Sequence, residues 1–164
     1  MTKLSSRVTA LTIVATMFAS SAYAFDPDDL RKLKDTGDCR ECDLSNADLE
    51  GSLLMSADLR EANLEGANLK GAYLTGAKIG YANLKGANLS GADFRDAWMT
   101  NVNLYDAKLE GTYLLKAHLK FADLRQANLD GADLEGANIY YAKMKGAILC
   151  NTIMPDGSVI YSGC

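Results

Sequence analysis

The chain has 164 residues, with 17 Lys and Arg against 21 Asp and Glu, and a net charge of −4. This acidic balance argues against binding to a phosphate backbone, where affinity comes from clustered Lys and Arg.

Residues 1–24 read as an export signal. Lys3 and Arg7 precede an apolar run from about Val8 to Ala19, and Ala22-Tyr23-Ala24 has the small-x-small form that signal peptidase cuts. The run is short for a bilayer span, which takes about 20 apolar residues, so an uncleaved anchor is the weaker reading. Cleavage makes Phe25 the first mature residue and removes Lys3 and Arg7, leaving 15 basic against 21 acidic residues and a net charge of −6. No cysteine follows the cut, which argues against a lipoprotein anchor. The expected destination is the bacterial periplasm or the medium, or a thylakoid lumen if the source is photosynthetic.

Residues 25–41 are predicted to form an N-terminal cap. In Asp26-Pro27-Asp28-Asp29-Leu30-Arg31-Lys32-Leu33-Lys34, Asp26 suits the N-cap, Pro27 the first helical position, and Gly37 lies past the stop. Leu30 and Leu33 are then placed to cover the segment that begins at Cys42.

From Leu44 to Met154 every fifth residue is a large apolar side chain, usually with alanine two places before it. Residues 42–156 divide into 23 units of five with no slip. The central residue is Leu, Ile, Met or Phe in every unit, and only Cys42, Ser52, Val102, Thr112 and Thr152 replace the alanine. A period of five matches neither 3.6 nor 2, so neither a helix nor a plain alternating strand keeps these residues on one buried face. A chain that turns a corner once per unit does. Ten of the 14 glycines close a unit, as a corner with positive φ favours.

The pattern Ala-(Asp/Asn)-Leu-x-x, verbatim in Ala67-Asn68-Leu69-Lys70-Gly71 and Ala127-Asn128-Leu129-Asp130-Gly131, resembles the pentapeptide-repeat family over about 70% of the chain. The resemblance implies an all-β solenoid: a right-handed quadrilateral parallel β-helix with four units per 20-residue rung, about six rungs in all. At about 4.8 Å per rung it would be a rod on the order of 28 Å tall. Leucine and alanine would fill the narrow interior, where two leucines would overpack. The Asp or Asn between them would face out and bond nearby backbone.

An open solenoid end is an unpaired strand edge, so both ends need covers. Pro155-Asp156-Gly157 breaks the beat as a turn, and residues 157–164 are expected to fold back as a C-terminal cap. The cysteines sit in two pairs, one beside each cap, and an oxidising compartment favours structural disulfides. In a coil of the implied height only Cys39 with Cys42 and Cys150 with Cys164 can meet, because bridged α-carbons must lie within about 7 Å. The same separation rules out a four-cysteine zinc site. A competing reading makes Cys39-Arg40-Glu41-Cys42 a thiol-disulfide participant, although such motifs usually open a helix and this one follows a helix signal.

Stacking the units at 20-residue intervals sorts the outward positions into walls. The wall centred on Leu49, Leu69, Leu89, Leu109 and Leu129 carries Gly51, Gly71, Gly91, Gly111 and Gly131 in one corner and reads as plain solvated surface. The wall centred on Leu54, Leu74, Phe94, Leu114 and Leu134 displays Leu53, Met55, Tyr73, Tyr113 and Leu115. The next wall, centred on Leu59, Ile79, Met99, Leu119 and Ile139, displays Trp98, His118 and Tyr140, with Tyr81, Phe121 and Tyr141 in its far corner. Among the repeats only Tyr105 is an outward aromatic elsewhere. Clustered exposed apolar groups mark interfaces, and aromatic anchors carry interface energy. These two walls are therefore the candidate surface for a protein partner or a second copy; the alternative is that the rings stack between rungs and stiffen the rod.

No catalytic, cofactor or metal site is expected. His118, the sole histidine, has no nucleophile and orienting group evident beside it. The carboxylates belong to the repeat, and a convex rod offers no cleft to shift their pKa values. The sequence points to an exported noncatalytic scaffold or protein-interaction module. The resemblance also implies an alternative, since some pentapeptide-repeat proteins mimic duplex DNA and bind type II topoisomerases, but that role belongs to the cytoplasm and conflicts with the export signal.

Overall fold

The computed structural model describes residues 25–161 and 164, so the export-signal expectation for residues 1–24 lies outside the described residues. Among the described residues no helix is long and apolar enough to cross a membrane. The elements are one helix, α1 (Pro27–Thr36), a coil of single parallel backbone bridges, and a terminal two-stranded pair, β1 (Thr152–Ile153) with β2 (Val159–Ile160). Each bridge joins a residue to the one 20 places on, from Asp38 with Asp58 to Asp133 with Ile153. Four units of five thus complete each turn.

The unit Ala67–Gly71 shows why these residues hold this shape. The Ala67 N–H closes the corner onto Leu64 O at 3.1 Å; Asn68 N–H reaches Ala47 O in the turn below at 2.9 Å; Leu69 N–H reaches Asn88 O above at 2.7 Å. Gly71 N–H reaches Ser90 O at 3.0 Å, and the remaining Lys70 N–H is taken by the Asn68 side chain at 3.3 Å. Every backbone donor of the unit is therefore satisfied, the fourth only because the second residue carries a short carbonyl side chain. The same amides also bond from turn to turn: Asn63 to Asp43 at 3.1 Å, Asn83 to Asn63 at 3.2 Å, and Asn103 to Asn83 at 2.9 Å.

The fifth residue of each unit turns the corner with positive φ, at every fifth position from Glu41 to Asn151. Ten of these are glycines and 13 are not, so the corner conformation is set by the coil and imposed on whatever residue arrives there. Inside, the expected large and small residues are almost completely buried, with Leu44, Leu69, Phe94 and Leu119 all at 0% exposure. Thr112 and Thr152, at alanine positions, are also buried and bond their hydroxyls to Leu89 O at 2.9 Å and Leu129 O at 2.7 Å.

The coil begins one unit before the expected Cys42. Asp38 bridges Asp58, Cys39 N–H bonds Asp58 O at 2.8 Å, and Glu41 takes the corner φ. Cys39 occupies the large inward position of that unit and Cys42 the alanine position of the next. Their disulfide, with α-carbons 5.2 Å apart, replaces the usual leucine and alanine contact. The helix α1 lies over this end: Asp26 caps it through Asp28 N–H at 2.8 Å, Gly37 ends it with a left-handed turn, Leu33 is buried, and Leu30 packs against the core. At the far end Pro155–Gly157 turns the chain so that β2 runs antiparallel to β1, and Cys150 joins Cys164 with α-carbons 4.9 Å apart. Ile139, Met144 and Leu149 of the last turn are only half-buried.

Candidate docking walls

The 20-residue register fixes the columns. On the Leu54 wall, successive bridges order Leu53, Tyr73, Asp93, Tyr113 and Asp133; on the Leu59 wall they order Asp58, Lys78, Trp98, His118 and Asn138. The column on the Leu49 wall runs Asp48, Asn68, Asn88, Lys108, Asn128, and on the fourth wall Asp43, Asn63, Asn83, Asn103, Asp123. The polar amide ladders thus occupy two walls and the apolar side chains the other two.

The candidate residues are exposed where the register puts them. Leu53, Met55, Tyr73, Trp98, Tyr113, Tyr140, Tyr141 and Phe121 all stand out to solvent, Tyr81 is 67% exposed, and Leu115 and His118 are half-buried. Sequence reasoning missed Ile148, Val159 and Tyr161, which are also exposed. Ile148 takes the outward second position of its unit, next to Asn128 on the Leu49 wall, while Val159 and Tyr161 lie beyond the last unit.

Several rings touch across turns. Trp98 stacks on His118 with centroids 4.2 Å apart and planes 10° off parallel, and Phe121 on Tyr141 at 5.5 Å and 5°. Tyr140 tilts against Tyr141 at 4.1 Å, and Lys120 Nζ lies 4.9 Å from the Phe121 ring and 5.7 Å from that of Tyr140. The hydrogen bond that the Tyr140 hydroxyl makes to Tyr141 pushes it above its ordinary pKa. The rings thus stack between turns and remain at least partly exposed while doing so.

Seven of these residues depart from the local optimum of their positions. Tyr73, Trp98, Tyr113 and His118 stand where Asp or Asn would otherwise accept the backbone N–H two residues on. Tyr81, Phe121 and Tyr141 hold φ of 62°, 61° and 59° in a corner column, Glu61, Tyr81, Asn101, Phe121, Tyr141, that contains no glycine. A left-handed conformation costs a non-glycine residue about 1–2 kcal/mol. Bulky residues retained in such conformations point to function.

Charge comes as local pairs, two on these walls and one on the fourth. Arg95 forks onto Asp93 through Nε at 2.9 Å and Nη2 at 2.6 Å, Arg125 onto Asp123 at 2.8 and 2.5 Å, and Arg60 likewise onto Asp58. The arginine hydrogen bonds hold all three carboxyls below the usual carboxylate range. Asp29, Cys39 and Cys42 place potential ligand atoms within 4.8 Å of one another, but both sulfurs are committed to the disulfide and Asp29 Oδ2 accepts Asp43 N–H at 2.8 Å.

A family model described as Pentapeptide repeats matches the chain in 8 copies, over residues 38–76, 67–104, 77–115, 103–139 and 117–154. Among solved structures, the chain is 32% identical to HetL, a pentapeptide repeat protein involved in heterocyst differentiation regulation from the cyanobacterium Nostoc sp. strain PCC 7120, with a TM-score of 0.54 over 75% of this chain. The match spans 64% of HetL, a little under two thirds of its length. The pentapeptide repeat protein Rfr23 from the cyanobacterium Cyanothece 51142 is 25% identical over 73% of this chain and 92% of its own, with a TM-score of 0.44. A pentapeptide repeat protein from the Arabidopsis thaliana thylakoid lumen is 28% identical over 76% of this chain and 70% of its own, with a TM-score of 0.28. No curated protein matches the chain.

Proposed function

The chain belongs to the pentapeptide-repeat family, whose members form right-handed quadrilateral β-helices, and we propose that it acts as an exported, noncatalytic interaction module. It is a rod of about six turns, closed by α1 at one end and the Cys150–Cys164 tail at the other. The Leu54 and Leu59 walls dock a protein partner. One observation carries this reading: large apolar side chains occupy positions where the coil favours Asx or glycine, and all but Ile148 in the last turn lie on two adjoining walls.

Export rests on residues 1–24, and the two disulfides support it, because such bonds persist in oxidising compartments. The disulfides tie the first and last turns and act structurally. Intact-mass measurement of the exported protein should find a chain starting at Phe25; a full-length chain retained in the cytosol would refute export.

Capture from the exported fraction tests the docking walls. The Trp98→Ser, Phe121→Ser double variant should lose the captured partner while keeping the cooperative unfolding of the unchanged protein. Loss of thermal stability with undiminished capture would assign the rings to stiffening instead.

A further inference from the structure

Rings one turn apart stack in this molecule, at 4.2 Å for Trp98 with His118 and 5.5 Å for Phe121 with Tyr141. On the Leu54 wall Tyr73 and Tyr113 stand two turns apart, about 9.6 Å, with Asp93 between them. Asp93 is short and only 7% exposed, and its carboxylate is held by the Arg95 fork at 2.9 and 2.6 Å and by the Arg95 backbone N–H at 3.1 Å. The column therefore lacks its middle ring. A half-open cleft of about 380 Å³ lies there, lined by Gly71, Tyr73, Gly91, Asp93, Arg95 and Tyr113.

We propose that this cleft is an anchor slot for an aromatic side chain of a protein partner, flanked in the partner by a carboxylate. A ring inserted at the level of Asp93 stands about 4.8 Å from each tyrosine, the spacing at which the protein's own rings stack. Arg95 sets the charge preference. Its Nε and Nη2 are committed to Asp93, but its side chain is 54% exposed while that of Asp93 is 10% exposed, so the mouth of the slot shows donors and hides the acceptor. An aliphatic anchor fills the volume without gaining either stack. The proposal rests on the docking reading above and adds the chemistry of the anchor.

Titration of the 15N-labelled exported protein with blocked tripeptides tests it. Acetyl-Glu-Tyr-Glu-amide should shift the Gly71 and Gly91 amides and bind about tenfold more tightly than the Glu-Leu-Glu analogue. The Lys-Tyr-Lys analogue should bind more weakly still. Asp93→Tyr places a ring in the slot, at a column position that already accommodates tyrosine in Tyr73 and Tyr113, and should abolish binding. If that variant misfolds, Tyr113→Leu serves instead, since Leu53 occupies the same column, and should weaken the tyrosine peptide about tenfold. Arg95→Gln should erase the preference for glutamate over lysine while keeping the preference for the ring. Equal binding of the Tyr and Leu peptides, no shift at Gly71 and Gly91 with any peptide, or undiminished binding by a folded Asp93→Tyr would overturn the proposal. The Trp98→Ser, Phe121→Ser variant should bind the tyrosine peptide normally. If it loses the partner while no peptide binds, the slot fails and the docking walls stand; if the peptide binds while capture is unaffected, the converse holds.

Discussion

The Leu49 wall and the Leu59 wall are built from the same unit in the same register, yet they treat it differently. On the Leu49 wall, Gly51, Gly71, Gly91, Gly111 and Gly131 take the left-handed corner without strain, and Asn68, Asn88 and Asn128 receive the backbone donor two residues on. The far corner of the Leu59 wall has no glycine, holds Tyr81, Phe121 and Tyr141 in the left-handed region, and fills its column with Lys78, Trp98 and His118. One wall is optimised for the coil. The other gives up local stability to keep rings in solvent, which is the pattern expected where a surface has a second task.

The largest expected effect lies in the interior the walls share. Phe94 is the bulkiest fully buried side chain, so Phe94→Ala should lower unfolding free energy by about 3–5 kcal/mol in denaturant titration and loosen all walls together. A loss confined to the Leu54 wall in amide exchange would show that the turns are not one cooperative unit.

Next is the glycine corner. An added Cβ at Gly131 comes no nearer than 3.9 Å to Gly111 N, so Gly131→Ala tests the φ of 66° alone and should cost about 1–2 kcal/mol. The mirror experiment is Tyr81→Gly. Tyr81 is 67% exposed, so little contact is lost, and relief of its left-handed strain should stabilise the protein by about 0.5–1 kcal/mol. Partner capture should weaken in the same variant. A stability loss at Tyr81→Gly, or none at Gly131→Ala, would erase the contrast between the corners.

The smallest effect is acid. Asp58, Asp93 and Asp123 have folded pKa values lowered from 3.8 by their arginine partners, so they stabilise the fold at pH above the unfolded value. That contribution fades as pH falls below about 4 and through the lower folded values. All three arginine-forked pairs lie off the Leu49 wall. Amide exchange near pH 3, corrected for intrinsic rate, should therefore quicken around these aspartates before it quickens along the glycine corner; the reverse order would contradict the assignment.

The period of five and the volume of Leu with Ala made the buried set legible from the residues alone, because only one face of each unit can point inward. The columns followed once four units were assigned to a turn. The start of the coil at Gly37 was hidden, because in that unit Gly37 and Cys39 stand in for the alanine and leucine that mark the others. The corner conformation was legible at the ten glycines but not at Tyr81 or Phe121, where the coil overrides residue preference. The slot at Asp93 was not legible either, since it depends on how a short, buried carboxylate sits between two exposed tyrosines.

Hydroxyl-radical footprinting of the exported protein, with and without its exported fraction, tests the docking claim most directly, because the reagent labels the side chains in question. The account predicts protection of Tyr73, Tyr81, Trp98 and Phe121, with Tyr105 on the fourth wall labelled equally in both samples. Labelling of Trp98 and Tyr81 that does not change, or protection of Tyr105 as strong as theirs, would contradict it.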